Sequence, residues 1–214
     1  MTLDRIEIDD IGPHALALAK EIHRQLGNPF GKLPLEEIAS ELGIKKIIKR
    51  KLKNVEGALF TPPGKAYGEI LLSTSKDPRR THFTLAHEMG HYLHPLHHGN
   101  FNCDTMDLNT QNSANSNEHK QREAEANDFA AELLMPELHM ERFYTEIEGL
   151  TCEQLVGLSD QLFVSAEALF RRIAENNKQP VAAYFIKDNK VRYFKKSTCF
   201  PTVSYTHLTL PTKA

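Results

Sequence analysis

Apolar residues recur at helical spacing in some parts of the chain and run together or alternate in others, and the two patterns divide it into elements. Residues 13–26, PHALALAKEIHRQL, read as a helix with Pro13 at its start. Residues 35–42, LEEIASEL, read as a second, stopped by Gly43. GALFT (57–61) and GEILLSTS (68–75) are extended segments on either side of a turn-rich stretch, and together they predict a hairpin with a loose loop. Asp77 and Pro78 open the next helix: the aspartate caps free N–H groups, and a proline at the first helical position gives up no hydrogen bond. That helix is expected over 78–94, with Pro95 ending it. Residues 99–119, full of Asn, Asp, Ser and Thr, predict a polar loop. A helix follows over 120–135, ended by Pro136, with further helices at 138–147, 151–158 and 165–176. VAAYFIKDNKVRYFKK (181–196) reads as a hairpin turning near Asp188-Asn189. No internal repeat is visible.

The last stretch, VSYTHLTLPTKA (203–214), continues none of these patterns. It resembles a translated sequencing adapter at the end of an incomplete reading frame. The natural protein is then expected to differ after about residue 202, and His207 takes no part in the functional reading.

Bulk properties narrow the class. The chain has 214 residues, 40% hydrophobic and 25% charged, which suits one medium globular domain or one domain plus a small appendage. A formal net charge of -2 gives no global argument for a nucleic-acid or anionic membrane partner. No apolar run approaches a membrane span, and the acidic N-terminus MTLDRIEIDD has no signal-like core, so a cytoplasmic location is expected. Cys103, Cys152 and Cys199 are odd in number and far apart, which points to reduced thiols rather than disulfides or a cysteine metal site. Histidine is the anomaly: six of the eleven lie between His82 and His98.

Within that cluster stands His87-Glu88-Met89-Gly90-His91, an HExxH sequence. Residues four apart share one helix face, so the two imidazoles can converge on one metal ion. Glu88 is rotated off that stripe and is placed to take a proton from a water rather than to ligate. Nitrogen ligands with a small carboxylate set suit one zinc ion, with manganese or iron compatible by ligand type.

A catalytic zinc wants three protein ligands and an open position. Downstream, Glu123 and Asn127 lie one turn apart on one helix face. Glu123 can supply the third ligand. The Asn127 carbonyl can accept the outer N–H of a liganding imidazole. Ala126, Phe129, Ala130, Leu133 and Leu134 fall at core spacing along the same helix, so this face borders a buried surface where a lone carboxylate would be costly. Glu125 is the rival ligand, about 200° around the helix from Glu123.

The other histidines are weighed separately. His97 sits where a third histidine ligand falls in the longer HExxHxxGxxH pattern, but His94 occupies the place of the glycine which that pattern requires. His94 lines the cleft or stands at a solvated helix end, and His82 and His98 are expected at the surface. His94, Tyr92 and Tyr144 are the guesses for a group that stabilises an oxyanion. The strand GEILLSTS is either an edge that accepts an extended substrate or an ordinary inner strand.

FTLAHEMGHYLH (83–94), followed by EAEANDFAAELLMP (123–136), resembles the two linked motifs of the ImmA/IrrE family of metallopeptidases. Weaker similarity runs from about residue 15 to 176 and includes GALF and VSAEALFRRIAE (164–175). His82 departs from the family, which often has arginine there. The resemblance implies an α+β, zincin-like, gluzincin-type fold: a small twisted antiparallel sheet packed on the active helix, followed by a helical, helix-turn-helix-like region. The expected division is a zincin-like domain over 1–136, a helical extension over 137–178, a C-terminal hairpin over 179–202 and the non-native tail over 203–214. The resemblance also implies zinc held by His87, His91 and Glu123 with Glu88 as general base. The implied substrate is a helix-turn-helix repressor of a mobile element or stress response.

Three rivals remain at this point. One is another single-zinc hydrolase acting on small peptides or amides, and a second is a degenerate peptidase that only binds, against which the intact ligand set and Glu88 argue. The third is a DNA-binding or regulatory module, because LPLEEIASELGI (33–44) and LSDQLFVSAEALFRRIAE (158–175) have helix-turn-helix flavour and Arg171 and Arg172 lie in the latter segment.

Overall fold

The computed structural model describes residues 2–74, 77–98, 101–103, 117–145 and 149–201. The adapter-like tail and most of the polar segment 99–119 lie outside the described residues. The chain begins with α1 (Arg5–Asp10), which the apolar pattern does not predict. Its N-terminus is capped by Asp4, whose carboxylate accepts from the N–H groups of Ile6 and Glu7. Then come α2 (Ala15–Gln25) and α3 (Leu35–Glu41), close to the expected spans.

Three strands follow: β1 (Ile44–Arg50), β2 (Gly57–Phe60) and β3 (Gly68–Ser73). β2 and β3 form the expected antiparallel hairpin, from Gly57 opposite Leu72 to Phe60 opposite Glu69. β4 (Phe101–Cys103) adds to β2, also antiparallel. β1 is the departure from a purely antiparallel sheet: it pairs with β3 in parallel, giving the order β1-β3-β2-β4. Its sequence, IKKIIKR, hides the strand because four of its seven residues are basic. Lysine on an exposed strand is a common way to keep a sheet edge from pairing with other chains.

This order also decides the question about GEILLSTS. β3 has a neighbour on each side, so its backbone groups are already used and no substrate strand can add to it. The edges of the described sheet are β1 and β4.

α4 (Pro78–Leu93) crosses one face of the sheet, packing on β2 and β3, and α5 (Asn117–Leu134) packs on α4 from the other side. Covered from both sides, α4 is buried at every position from Thr84 to Leu93. α2 in turn covers α5. α6 (Glu137–Thr145), α7 (Cys152–Gln161) and α8 (Ala166–Asn176) follow, and then a two-stranded hairpin of β5 (Ala182–Lys187) and β6 (Lys190–Lys196). Asp188 and Asn189, at φ 51° and 58°, form the turn between them, as the hairpin signal required. One buried cluster runs from Leu3 and Ile8 through Leu59, Met89 and Phe129 to Leu169 and Ile173, so α6–α8 share a core with the sheet and α4.

The helix-turn-helix-like arginines are used internally. Arg172 pairs with the buried carboxylate of Glu132 on α5, and Arg171 lies 3.9 Å from Glu175 on its own helix. Among the described residues, no helix is long and apolar enough to cross a membrane.

Candidate metal centre

The local sequence fixes α4 at both ends. Asp77 Oδ1 accepts from the N–H of Arg79 at 2.8 Å, with Pro78 in the first turn. At the other end the last carbonyls of an α-helix lack intrahelical partners. Lys65, from the loop between β2 and β3, reaches them: its Nζ donates to the carbonyls of His91, Tyr92 and His94 at 2.8, 3.1 and 2.7 Å. Burial first, and then the charge of Arg5, lowers the Lys65 ammonium to about 8. A positive charge at a helix C-terminus is also favoured by the helix dipole. Nothing in the local pattern signals this contact, because Lys65 sits in a turn 26 residues before His91.

Two glycines set the distances around the site. A Cβ at Gly90 would stand 3.0 Å from Phe129 Cδ1, so this position of the HExxH helix lets α5 come close. A Cβ at Gly57 would collide with Glu88 Oε1 and stand 2.6 Å from Thr84 Cγ2. Glycine on β2 therefore leaves the room that the Glu88 carboxylate occupies.

The close packing of α4 and α5 brings His87, His91 and Glu123 together, each buried. The two Nε2 atoms are 3.1 Å apart. His87 Nε2 lies 3.2 Å from Glu123 Oε2, and His91 Nε2 lies 3.3 Å from Glu123 Oε1. Two ligands on one tetrahedral zinc, with bonds near 2.0–2.1 Å, stand about 3.3 Å apart. The donor set and its spacing therefore fit a zinc ion. His87 Nδ1, on the far side of its ring, lies 3.1 Å from Asn127 Oδ1, the contact that the shared stripe of Glu123 and Asn127 predicts.

Electrostatics agrees with the geometry. Burial lowers His91 to about 4, so its ring is neutral and keeps a lone pair at ordinary pH. Burial alone would raise the Glu123 carboxyl, but hydrogen bonding to His87 and His91 outweighs it and holds the group well below the usual carboxylate range. Glu88 is fully buried beside β2.

Several expectations are corrected. Tyr92 is 1% exposed, and its hydroxyl points to the carbonyls of Gly43 and Lys65 at 3.4 Å each, so it does not line a cleft. Tyr144 lies in the core beside Arg172 and Glu132, the latter two and a half turns along α5 from Glu123 and on its opposite face. His94 is neither at the surface nor with His87, His91 and Glu123: it is 2% exposed and its Nε2 lies 3.7 Å from Glu125 Oε2. His97 is fully buried behind His91, with the two Nδ1 atoms 3.0 Å apart, and it meets Glu125 Oε2 through Nε2 at 2.8 Å. Glu125 thus turns to His97 and His94, away from the Glu123 stripe.

His98 is exposed as expected, but His82 is half-buried, set edge-on to Phe163 at 5.3 Å between ring centroids. Burial lowers it to about 4. It borders a cavity of about 660 Å³ shared with Lys32, Leu72 and Phe163, and none of His87, His91 or Glu123 lines that cavity.

His119 was missed. It stands one turn before Glu123 on α5, partly exposed, with Nε2 3.9 Å from Glu123 Oε1. The signal was available, since 119, 123 and 127 fall on one helical stripe.

No curated protein matches the chain. Residues 39–174, which span the sheet, both metal-site helices and α6–α8, match the family described as Peptidase_M78, IrrE N-terminal-like domain. With the two motifs brought to one buried centre and that match covering more than half of the sequence, the chain belongs to the Peptidase_M78 family and is a peptidase acting on protein substrate.

Proposed function

We propose that the chain is a zinc-dependent endopeptidase that cleaves a helix-turn-helix transcriptional repressor. The observation that carries the zinc chemistry is the spacing of 3.1–3.3 Å among His87 Nε2, His91 Nε2 and the Glu123 carboxylate, with Glu88 buried alongside. His87, His91 and Glu123 would hold the ion. When bound, zinc polarises a scissile carbonyl and makes a water acidic enough to attack at neutral pH.

The chain's own residues do the rest. Glu88, walled in by Gly57 and Thr84, takes the proton of the attacking water and hands it to the leaving amine. Asn127 holds the His87 ring by accepting its Nδ1–H. His119 is the group best placed to donate to the developing oxyanion, since it shares the Glu123 stripe and keeps solvent access. β4, a sheet edge whose Cys103 pairs with the Gly57 that abuts Glu88, gives an extended peptide backbone partners next to the site. The repressor as substrate rests on the family. The pairing of Arg172 with buried Glu132 counts against the DNA-binding rival, since it withdraws one of the two arginines of α8 from a phosphate backbone.

The test is Glu88→Gln. The variant should retain zinc and lose cleavage of a helix-turn-helix repressor encoded beside the gene by at least about 10³-fold, towards the upper end of what a general base contributes. Mass spectrometry of the products and elemental analysis of the enzyme read both. Cleavage at the unsubstituted rate would overturn the mechanism.

A further inference from the structure

The second histidine cluster, His94, His97 and Glu125, has no part in the chemistry described so far, and its donor atoms lie close enough together to raise the question of a second cation. The distances argue otherwise. His97 Nε2 and Glu125 Oε2 are 2.8 Å apart, a hydrogen-bond length and short of the roughly 3.3 Å that two ligands on one zinc require. His94 and His97 stack at 4.0 Å between centroids with 32° between their planes, so their lone pairs run side by side instead of converging.

Proton bookkeeping gives a different role. This step rests on the reading of His91 as a metal ligand through Nε2. A ring that ligates through Nε2 carries its proton on Nδ1. That N–H points at His97 Nδ1, 3.0 Å away, which must therefore accept. His97 is then the Nε2–H tautomer, and it donates to Glu125 Oε2. Gln121 Nε2 donates to the other oxygen of Glu125 at 2.9 Å and steadies the carboxylate. Every proton along the line is assigned without conflict. His97 is held in place by its own turn, its N–H donating to the His94 carbonyl at 3.1 Å across Pro95.

We infer that His97 and Glu125 are positioning residues for zinc: a chain of a buried imidazole and a partly exposed carboxylate that fixes the tautomer and ring plane of His91, as the Asn127 carbonyl does for His87. The two ligand histidines are thus braced by different means, a neutral amide on α5 for one and a charged carboxylate relayed through a second imidazole for the other. The relay should make the His91 nitrogen the more electron-rich ligand.

Zinc affinity, measured by competition with a chromophoric chelator, tests this without any substrate. His97→Ala and Glu125→Gln should each weaken zinc binding by about 10–100-fold. The double variant should be no weaker than His97→Ala alone, because the carboxylate acts only through the imidazole. His97→Asn sets a carbonyl oxygen near the place of Nδ1 and should recover most of the loss. Histidine ¹H–¹⁵N correlation spectra should show His91 with its proton on Nδ1 and His97 with its proton on Nε2.

Unchanged affinity in His97→Ala and Glu125→Gln would overturn the brace while leaving the zinc reading intact. So would a second equivalent of zinc that disappears with His94→Ala, which would make the cluster a cation site. A chain that binds no zinc at all would instead overturn the reading of His87, His91 and Glu123.

Discussion

Among the described residues stand two clusters of two histidines and one glutamate, a few ångströms apart, and they use the same residue types differently. In His87, His91 and Glu123 the donor atoms stand 3.1–3.3 Å from one another, the spacing that ligands of one cation would take. In His94, His97 and Glu125 the nearest pair has closed to 2.8 Å, so a proton already fills the gap. Helix geometry makes the difference. His87 and His91 are one turn apart on an uninterrupted helix, and their rings project together. His94 and His97 straddle Pro95, where the helix has ended, and no helical register aligns them. Neighbouring histidines and acids are therefore weak indicators of a metal site until the spacing of their lone pairs is known.

Gly57→Ala strikes beside the first cluster and leaves the second untouched. The new methyl group occupies the space of the Glu88 carboxylate and of Thr84 Cγ2, so the carboxylate must shift. Displacing a catalytic group by about 1 Å costs about 100-fold in rate, and overpacking a buried site costs about 1–3 kcal/mol of stability. The expected result is kcat reduced by about that factor with zinc affinity preserved. Equal losses of kcat and zinc would show that Glu88 and the first cluster move as one.

Acid strikes both clusters. His91 lies at about 4 and His97 is also lowered by burial, against an ordinary value of 6.5. Because the folded-state values lie below the unfolded ones, the stability they hold is fully present above pH 6.5 and drains as pH falls toward 4. Between pH 7 and 5 each such imidazole costs about 2 kcal/mol in the metal-free protein. The depressed Glu123 carboxyl adds its own loss only below its ordinary 4.5. Urea unfolding of chelator-treated protein at the two pH values measures this. A flat profile would mean that the rings accept protons while folded and that neither cluster is as closed as its distances indicate.

Much of the first cluster was legible in the sequence, and the second was misread. Asp77-Pro78 and Pro95 bracket α4, the HExxH spacing sets two rings on one face, and the shared stripe of Glu123 and Asn127 selects that carboxylate over Glu125. All of these are local, one-helix arguments, and local geometry carries them. What escaped depends on contacts between distant segments or on places where periodicity stops. Lys65 reaches the end of α4 from a loop. Gly57 matters only because β2 passes under Glu88. β1 carries too many lysines to alternate clearly, and its parallel pairing makes β3 an inner strand. Tyr92 was a guess for the oxyanion group, but one residue beyond His91 along a helix turns a side chain about 100° away, here into the core. His97 was weighed only as a ligand because its offset matched a longer motif, whereas the break at Pro95 carries it behind His91.

The proposed zinc chemistry requires one divalent ion gripped across two helices by three side chains. Elemental analysis can test this on the purified chain and on Glu123→Ala, each dialysed against the same zinc-containing buffer and then against metal-free buffer. The unsubstituted chain should retain one equivalent of zinc and the variant almost none. A full equivalent held without the Glu123 carboxylate would contradict it.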